Sequence, residues 1–212
     1  MNRKKRLITG LGLTLGFALW TVLVATVDKG AIGPIGSSVG FSTLNGTVHR
    51  LIGVNMTLYT ITDILGLVPI FTAVGFAILG LCQWIKRKSI AKVDRSIITL
   101  GLFYVAVMAI YVTFEYVIIN YRPVLIEGNL EVSYPSSTTM LVATVMPTTV
   151  TQFNKLIRNS VIRRAVGCLI ITFSAFMIVG RILAGVHWIS DIIGGGLISS
   201  GLVVIYSALN RQ

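Results

Sequence analysis

Long uncharged apolar runs dominate this chain and limit what it can fold into. Leu7–Val27, Ile64–Ile85, Ser96–Phe114, Val132–Asn154, Ala165–Gly180 and Ile192–Asn210 contain no Asp, Glu, Lys or Arg. Crossing the hydrocarbon core of a bilayer takes about 20 mostly apolar residues in a helix. Six such runs predict an all-α, polytopic membrane protein with six transmembrane helices in one bundle, a single domain over residues 1–212. Composition agrees. Hydrophobic residues make up 54% of the chain and charged residues 12%, and the mean hydropathy is +0.85. A soluble globular chain is about a quarter charged, and disorder requires low hydrophobicity, so both classes are excluded.

The basic residues choose the orientation. Arg3, Lys4, Lys5 and Arg6 precede the first run, and Lys86, Arg87, Lys88, Lys92 and Arg95 separate the second from the third. Lys155, Arg158, Arg163 and Arg164 separate the fourth from the fifth, and Arg211 follows the sixth. Only Lys29, Arg50, Arg122 and Arg181 fall on the other side. The positive-inside rule predicts that both termini lie in the cytoplasm, in a multi-pass chain of a cell membrane. The net charge of +11 is therefore topological, and no nucleic acid partner is implied. Met1–Val27 reads as a retained first span; it is too long for a signal peptide, and Asp28 offers no small-residue cleavage pattern.

Acidic and polar residues collect on the opposite, outer side: Asp28, Glu115, Glu127, Glu131 and Asp191 lie on or near it. The segment from Asp28 to about Asn55 starts as a glycine- and serine-rich loop and ends near His49 and Arg50, at the lipid interface. His49 is expected to be a solvated interfacial residue. Asp63 falls inside the second span and is expected to make a polar contact between helices. Trp20, Trp84 and Trp188 fit an aromatic belt. Cys82 and Cys168 have no disulfide or metal spacing and are expected to be buried spectators. No metal site, cofactor or internal repeat is indicated, and no oligomeric state is specified.

Three outer stretches carry the polar chemistry. They are Glu115-Tyr-Val-Ile-Ile-Asn-Tyr-Arg122-Pro123, Tyr134-Pro135-Ser136-Ser137-Thr138, and Gly180-Arg181-Ile-Leu-Ala-Gly-Val-His187-Trp-Ile-Ser-Asp191. His187 and Asp191 are four apart and would share a helix face. A carboxylate there would orient the imidazole as a nucleophile or proton carrier. Arg122 and Arg181 offer planar forks that match phosphate oxygens. The turn at Ser136 and Ser137 offers helix-start N–H groups to an anion. Together these predict a phosphate-handling site at the lipid surface.

The stretches resemble the type 2 phosphatidic acid phosphatase family, which includes bacterial undecaprenyl diphosphate phosphatases. Its signature reads Lys-x6-Arg-Pro, then Pro-Ser-Gly-His, then Ser-Arg-x5-His-x3-Asp. Arg122 and Pro123, Pro135 and Ser136, and Arg181, His187 and Asp191 match it, and Gly194-Gly195-Gly196 fits the close helix packing that follows. The resemblance implies that His187 attacks phosphorus, Asp191 orients it, and Arg122 and Arg181 hold phosphate. The chain departs from the signature at Glu115, where the family has Lys, at Thr138, where it has the acid His, and at Gly180, where it has Ser. A positioned general acid contributes roughly 10²–10⁴-fold, so the loss at Thr138 bears most on activity. Glu115 is expected to pair with an arginine.

The function expected is that of a membrane lipid phosphatase acting through a phosphohistidine on a lipid diphosphate or monophosphate, a polyprenyl diphosphate being favoured. The alternatives are a catalytically impaired relative that binds or moves a lipid phosphate, and a lipid-dependent phosphotransferase. The partners implied are the lipid bilayer and the membrane lipid phosphate.

Overall fold

The computed structural model describes residues 2–210; Arg211, counted above among the basic residues of one face, lies outside them. Eight α-helices among the described residues form the bundle: α1 (Arg3–Thr26), α2 (Ser42–Ile52), α3 (Met56–Leu65), α4 (Leu67–Arg87), α5 (Arg95–Tyr116), α6 (Ser137–Leu156), α7 (Ser160–Ala184) and α8 (Ile189–Leu209). Among the described residues, five helical stretches are long and apolar enough to cross a membrane: α1, α3 with α4, α5, α7 and α8. The expected count of six is therefore corrected to five apolar spans. The fourth run, Val132–Asn154, became α6, which has the length of a span but is rich in threonine.

The reason is position. Helix α6 packs against α4, α5, α7 and α8, so it sits among helices and needs no apolar surface. Its Thr144, Thr148 and Thr149 are buried and return their hydroxyls to carbonyls one turn back, at 2.7 to 2.9 Å. A polar group in lipid must be satisfied internally, and these are. The spans turn large apolar side chains outward, as with Leu15, Phe71 and Leu102.

Helices α1 and α8 run antiparallel. Arg6 Nη1 donates to Ser207 Oγ at one end (3.0 Å), and Trp20 Nε1 donates to the Ser190 carbonyl at the other (3.1 Å). The start of α1, the end of α8, the end of α6 (Lys155 Nζ to Asn210 Oδ1, 3.1 Å) and the α4–α5 turn (Arg87 to Asp94, 2.8 Å) mark the basic end. The motifs gather at the other end. Gly66 divides α3 from α4, leaving Asp63 about two turns below the start of α3.

Two parts of the motif end differ from expectation. The segment after Asp28 folds into α2, which lies against α8 through Asn45 and Ser190. Between α5 and α6 the chain forms a small hairpin, with Arg122 N–H donating to the Glu131 carbonyl at 2.9 Å and Ser133 N–H to the Asn120 carbonyl at 3.0 Å. Its turn at Ile126–Asn129 has Glu127 and Gly128 both at positive φ, the primed geometry that suits a two-residue hairpin turn.

Candidate active site

The hairpin, the start of α6 and the α7–α8 junction meet around His187. His187 precedes α8, whose N-cap is Trp188, so it does not ride the same helix as Asp191. Its imidazole is buried and held from both sides. Nδ1 lies 3.1 Å from the Ser133 carbonyl oxygen and 3.8 Å from Asp191 Oδ2. Nε2 lies 3.3 Å from Arg122 Nη1 and 3.1 Å from Arg181 Nη2.

These contacts define the tautomer. A guanidinium only donates, so Nε2 must be the acceptor, and the proton sits on Nδ1, donated to Ser133. Burial and the two guanidinium charges hold the imidazole well below its usual pKa. A neutral ring with its unprotonated nitrogen on the arginine side is the form a nucleophile needs.

Each arginine faces one carboxylate but keeps a buried donor unused. Arg122 Nε is 2.9 Å from Glu131 Oε2, without the alignment of a hydrogen bond. Arg181, 1% exposed, reaches Thr62 Oγ1 at 3.4 Å and Asp63 at 3.7 Å, and its Nε has no partner among the described residues. The Tyr59 ring supports both, 5.1 Å from Arg181 Cζ and 6.0 Å from Arg122 Cζ. Burying a charge with donors left over is costly, and an anion with several oxygens would relieve it.

Asp191 has other work besides His187. It accepts from the Trp188 N–H at 3.0 Å, which closes the start of α8, and from Asn120 Nδ2 at 3.2 Å. Ser136, fully buried, accepts from the Thr139 N–H and donates its own N–H to the Asp191 carbonyl. It therefore builds the turn, while Ser137 opens onto the cavity. That cavity, about 460 Å³, is lined by Arg122, Glu115, Glu131, Ser133, Ser137 and His187 among others. Thr138 lies outside its lining and turns toward Gly66, its methyl 3.6 Å from where a side chain at Gly66 would begin.

Several expectations are corrected here. Arg122 pairs with Glu131, and Glu115 makes no ion pair among the described residues. Asp63 does make the expected contact between helices, facing Arg181 across α3 and α7, and through it also supports the site. Trp188 is buried and donates to the Tyr121 carbonyl at 2.7 Å, which removes it from any interfacial belt. His49 is half-buried with its ring edge-on to Trp188 at 5.4 Å, and burial lowers its pKa. Cys82 and Cys168 are free but exposed on the outside of the bundle.

The departure at Gly180 has a packing cause. A side chain at Gly180 would start 2.8 Å from the Thr62 methyl, so α3 and α7 are too close for the family serine. Gly194 lies against the Tyr134 ring and Gly195 against the Ser136 carbonyl, whereas Gly196 faces open space. Ser133, Asn120, Glu131 and Tyr59 were missed as site residues. Asn120 lay inside the first motif stretch, but nothing in the spacing of Tyr59 signalled its place under the arginines.

Comparison with known proteins extends this picture. The model of the PAP2 superfamily matches residues 115–212. No curated protein matches the sequence. A crystal structure of "the first transmembrane PAP2 type phosphatidylglycerolphosphate phosphatase from Bacillus subtilis" aligns over 94% of this chain and 94% of its own, with TM-score 0.62 and 17% identity. The chain is thus a multi-pass membrane protein with the fold of a transmembrane PAP2-type phosphatase, similar in sequence to the PAP2 superfamily over residues 115–212.

Proposed function

We propose that this protein is a membrane lipid phosphatase that releases phosphate from a lipid diphosphate, with a polyprenyl diphosphate as the preferred substrate, or from a lipid monophosphate. The observation that carries the proposal is His187 Nε2, unprotonated and set 3.1 and 3.3 Å from two buried guanidiniums. A phosphoryl group entering between them would meet the lone pair at phosphorus and the forks at its oxygens.

In the first step the Nε2–P bond forms and the P–O bond to the leaving group breaks, the electron pair departing with that oxygen. Nδ1 keeps its proton on the Ser133 carbonyl, and Asp191 offsets the charge that develops on the ring. Arg122 and Arg181 stabilise the equatorial oxygens; losing one such donor typically costs 10²–10³ in turnover. Ser137, with the first N–H groups of α6, faces the same anion. In the second step water cleaves the N–P bond and frees phosphate and His187.

The leaving group sets the substrate preference. A lipid monophosphate expels an alkoxide, which needs a proton at once, and Thr138 gives none up near neutral pH. A lipid diphosphate expels a lipid monophosphate, whose second ionisation lies near about pH 6, so it departs unaided. The solved relative is named for a monophosphate substrate, phosphatidylglycerolphosphate, and that lipid belongs in the test. Detergent-solubilised protein should release phosphate fastest from a prenyl diphosphate, more slowly from phosphatidylglycerolphosphate and phosphatidic acid, with orthovanadate blocking all three. A parent enzyme faster on phosphatidic acid would refute the leaving-group preference. A second reading, a relative that binds lipid phosphate without turnover, is favoured by the Glu131 carboxylate already seated on Arg122; vanadate-sensitive binding without phosphate release would decide for it.

A further inference from the structure

Far from His187, an apolar groove of about 690 Å³ runs between α4 and α5, walled by residues such as Phe76, Leu81, Ile97, Val105 and Met108. Its size falls within the range of about 300–1,000 Å³ usual for ligand pockets. Gly80 and Gly101 keep it open, and a side chain added at Gly101 would meet nothing within 4 Å. Ile90 and Val93 of the α4–α5 turn also line it, and Trp84, 46% exposed, stands on its wall two residues before Lys86.

That turn is basic. Lys86, Lys88 and Lys92 are exposed and carry no ion pair among the described residues, whereas Arg87 is engaged by Asp94 at 2.8 Å. An apolar slot lying along a span and ending at three uncompensated ammonium groups matches a lipid with a negative headgroup. A second copy of this chain fits poorly, because pairing the grooves would bring two such lysine clusters together.

We propose that this groove binds one anionic phospholipid, an acyl chain lying between α4 and α5 and the phosphate headgroup meeting Lys86, Lys88 and Lys92. The site is distinct from the catalytic cavity, at the opposite end of the bundle, and stands whether or not His187 turns over substrate.

Native mass spectrometry of the protein released from micelles with equimolar phosphatidylglycerol and phosphatidylcholine tests it. One phosphatidylglycerol should stay bound per chain, enriched at least about fivefold, the effect of roughly one cation at a lipid surface. Gly101→Phe should abolish the bound lipid by filling the groove. Gly12→Phe, at an exposed position of α1 where an added side chain also meets nothing within 4 Å, should leave it in place. The combined Lys86→Gln, Lys88→Gln and Lys92→Gln variant alters only exposed side chains and should lose the preference for phosphatidylglycerol, which keeps the test decisive if Gly101→Phe misfolds. Equal retention of both lipids would overturn the proposal. So would a preference that survives the lysine variant, or a lipid-free dimer that Gly101→Phe splits.

Discussion

His187 Nδ1 is closer to the Ser133 carbonyl oxygen, at 3.1 Å, than to the Asp191 carboxylate, at 3.8 Å. The ring's tautomer therefore rests on a backbone acceptor that no substitution of Asp191 removes. In triads where the carboxylate alone sets the tautomer, replacing Asp by Asn costs about 10⁴ in turnover. Here Asp191→Asn should cost nearer about 10²-fold, because Ser133 still receives the Nδ1 proton. Asp191→Ala should also lower thermal stability, since it leaves the Trp188 N–H and Asn120 without their acceptor. Steady-state kinetics and melting of both variants check this; equal, roughly 10⁴-fold losses would show that the Ser133 contact does not hold the ring.

The depressed pKa of His187 has two consequences with pH. Its causes are burial first, then the charges of Arg122 and Arg181. The free enzyme should keep its nucleophile neutral well below pH 6.5, so the acid limb of kcat/KM due to this group should fall below that pH. Stability moves the same way. An unfolded histidine takes up a proton below about pH 6.5 while the folded one does not, so the contribution of His187 is intact above that pH and declines as pH falls toward the folded value. Melting at pH 7 and pH 5.5, with His187→Gln as reference, checks the sign; a parent protein relatively stabilised by acid would contradict it.

Gly180→Ser restores the family residue yet should destabilise the bundle, by about 1–3 kcal/mol, the usual cost of overpacking. The clash is with the Thr62 methyl, 2.8 Å from the added carbon. Adding Thr62→Ser removes that methyl and keeps the hydroxyl for Arg181, so the double variant should recover most of the loss. Additive losses in a double-mutant cycle would place the strain elsewhere.

What the sequence could reveal followed physical lines. Apolar runs next to lipid must be long and uncharged, so α1, α5, α7 and α8 were legible. Helix α6 was found by its lack of charge, but nothing marked it as interior until its threonines were seen facing other helices. The triplet Arg122, Arg181 and His187 was legible because spacing within a motif survives folding. Ser133 was not, since it acts through a carbonyl that every residue possesses. Glu131 was visible as an outer acid, but only the hairpin pairing of residues 120–133 brought it, in place of Glu115, onto Arg122. Breaks in helices were also hidden: Gly66 sits in a continuous apolar run.

Thr138→His tests the role of the missing acid. A histidine there should raise hydrolysis of a lipid monophosphate more than that of a diphosphate, because only the first leaving group needs a proton. Thr138 turns toward Gly66, so the larger ring must swing toward the cavity to act, and the gain should stay below the full effect of about 10²–10⁴ for a positioned acid. Phosphate release from matched prenyl mono- and diphosphates measures it; equal gains on both would refute the leaving-group explanation.

The most direct measurement is chemical quench of the enzyme turning over a lipid diphosphate labelled with ³²P in its terminal phosphate, followed by peptide mapping. An acid-labile, base-stable label should appear on the peptide carrying His187 within a turnover, and vanish in His187→Ala together with activity. Phosphate release at the parent rate from His187→Ala, or turnover by the parent with no labelled histidine, would contradict a phosphohistidine at this position.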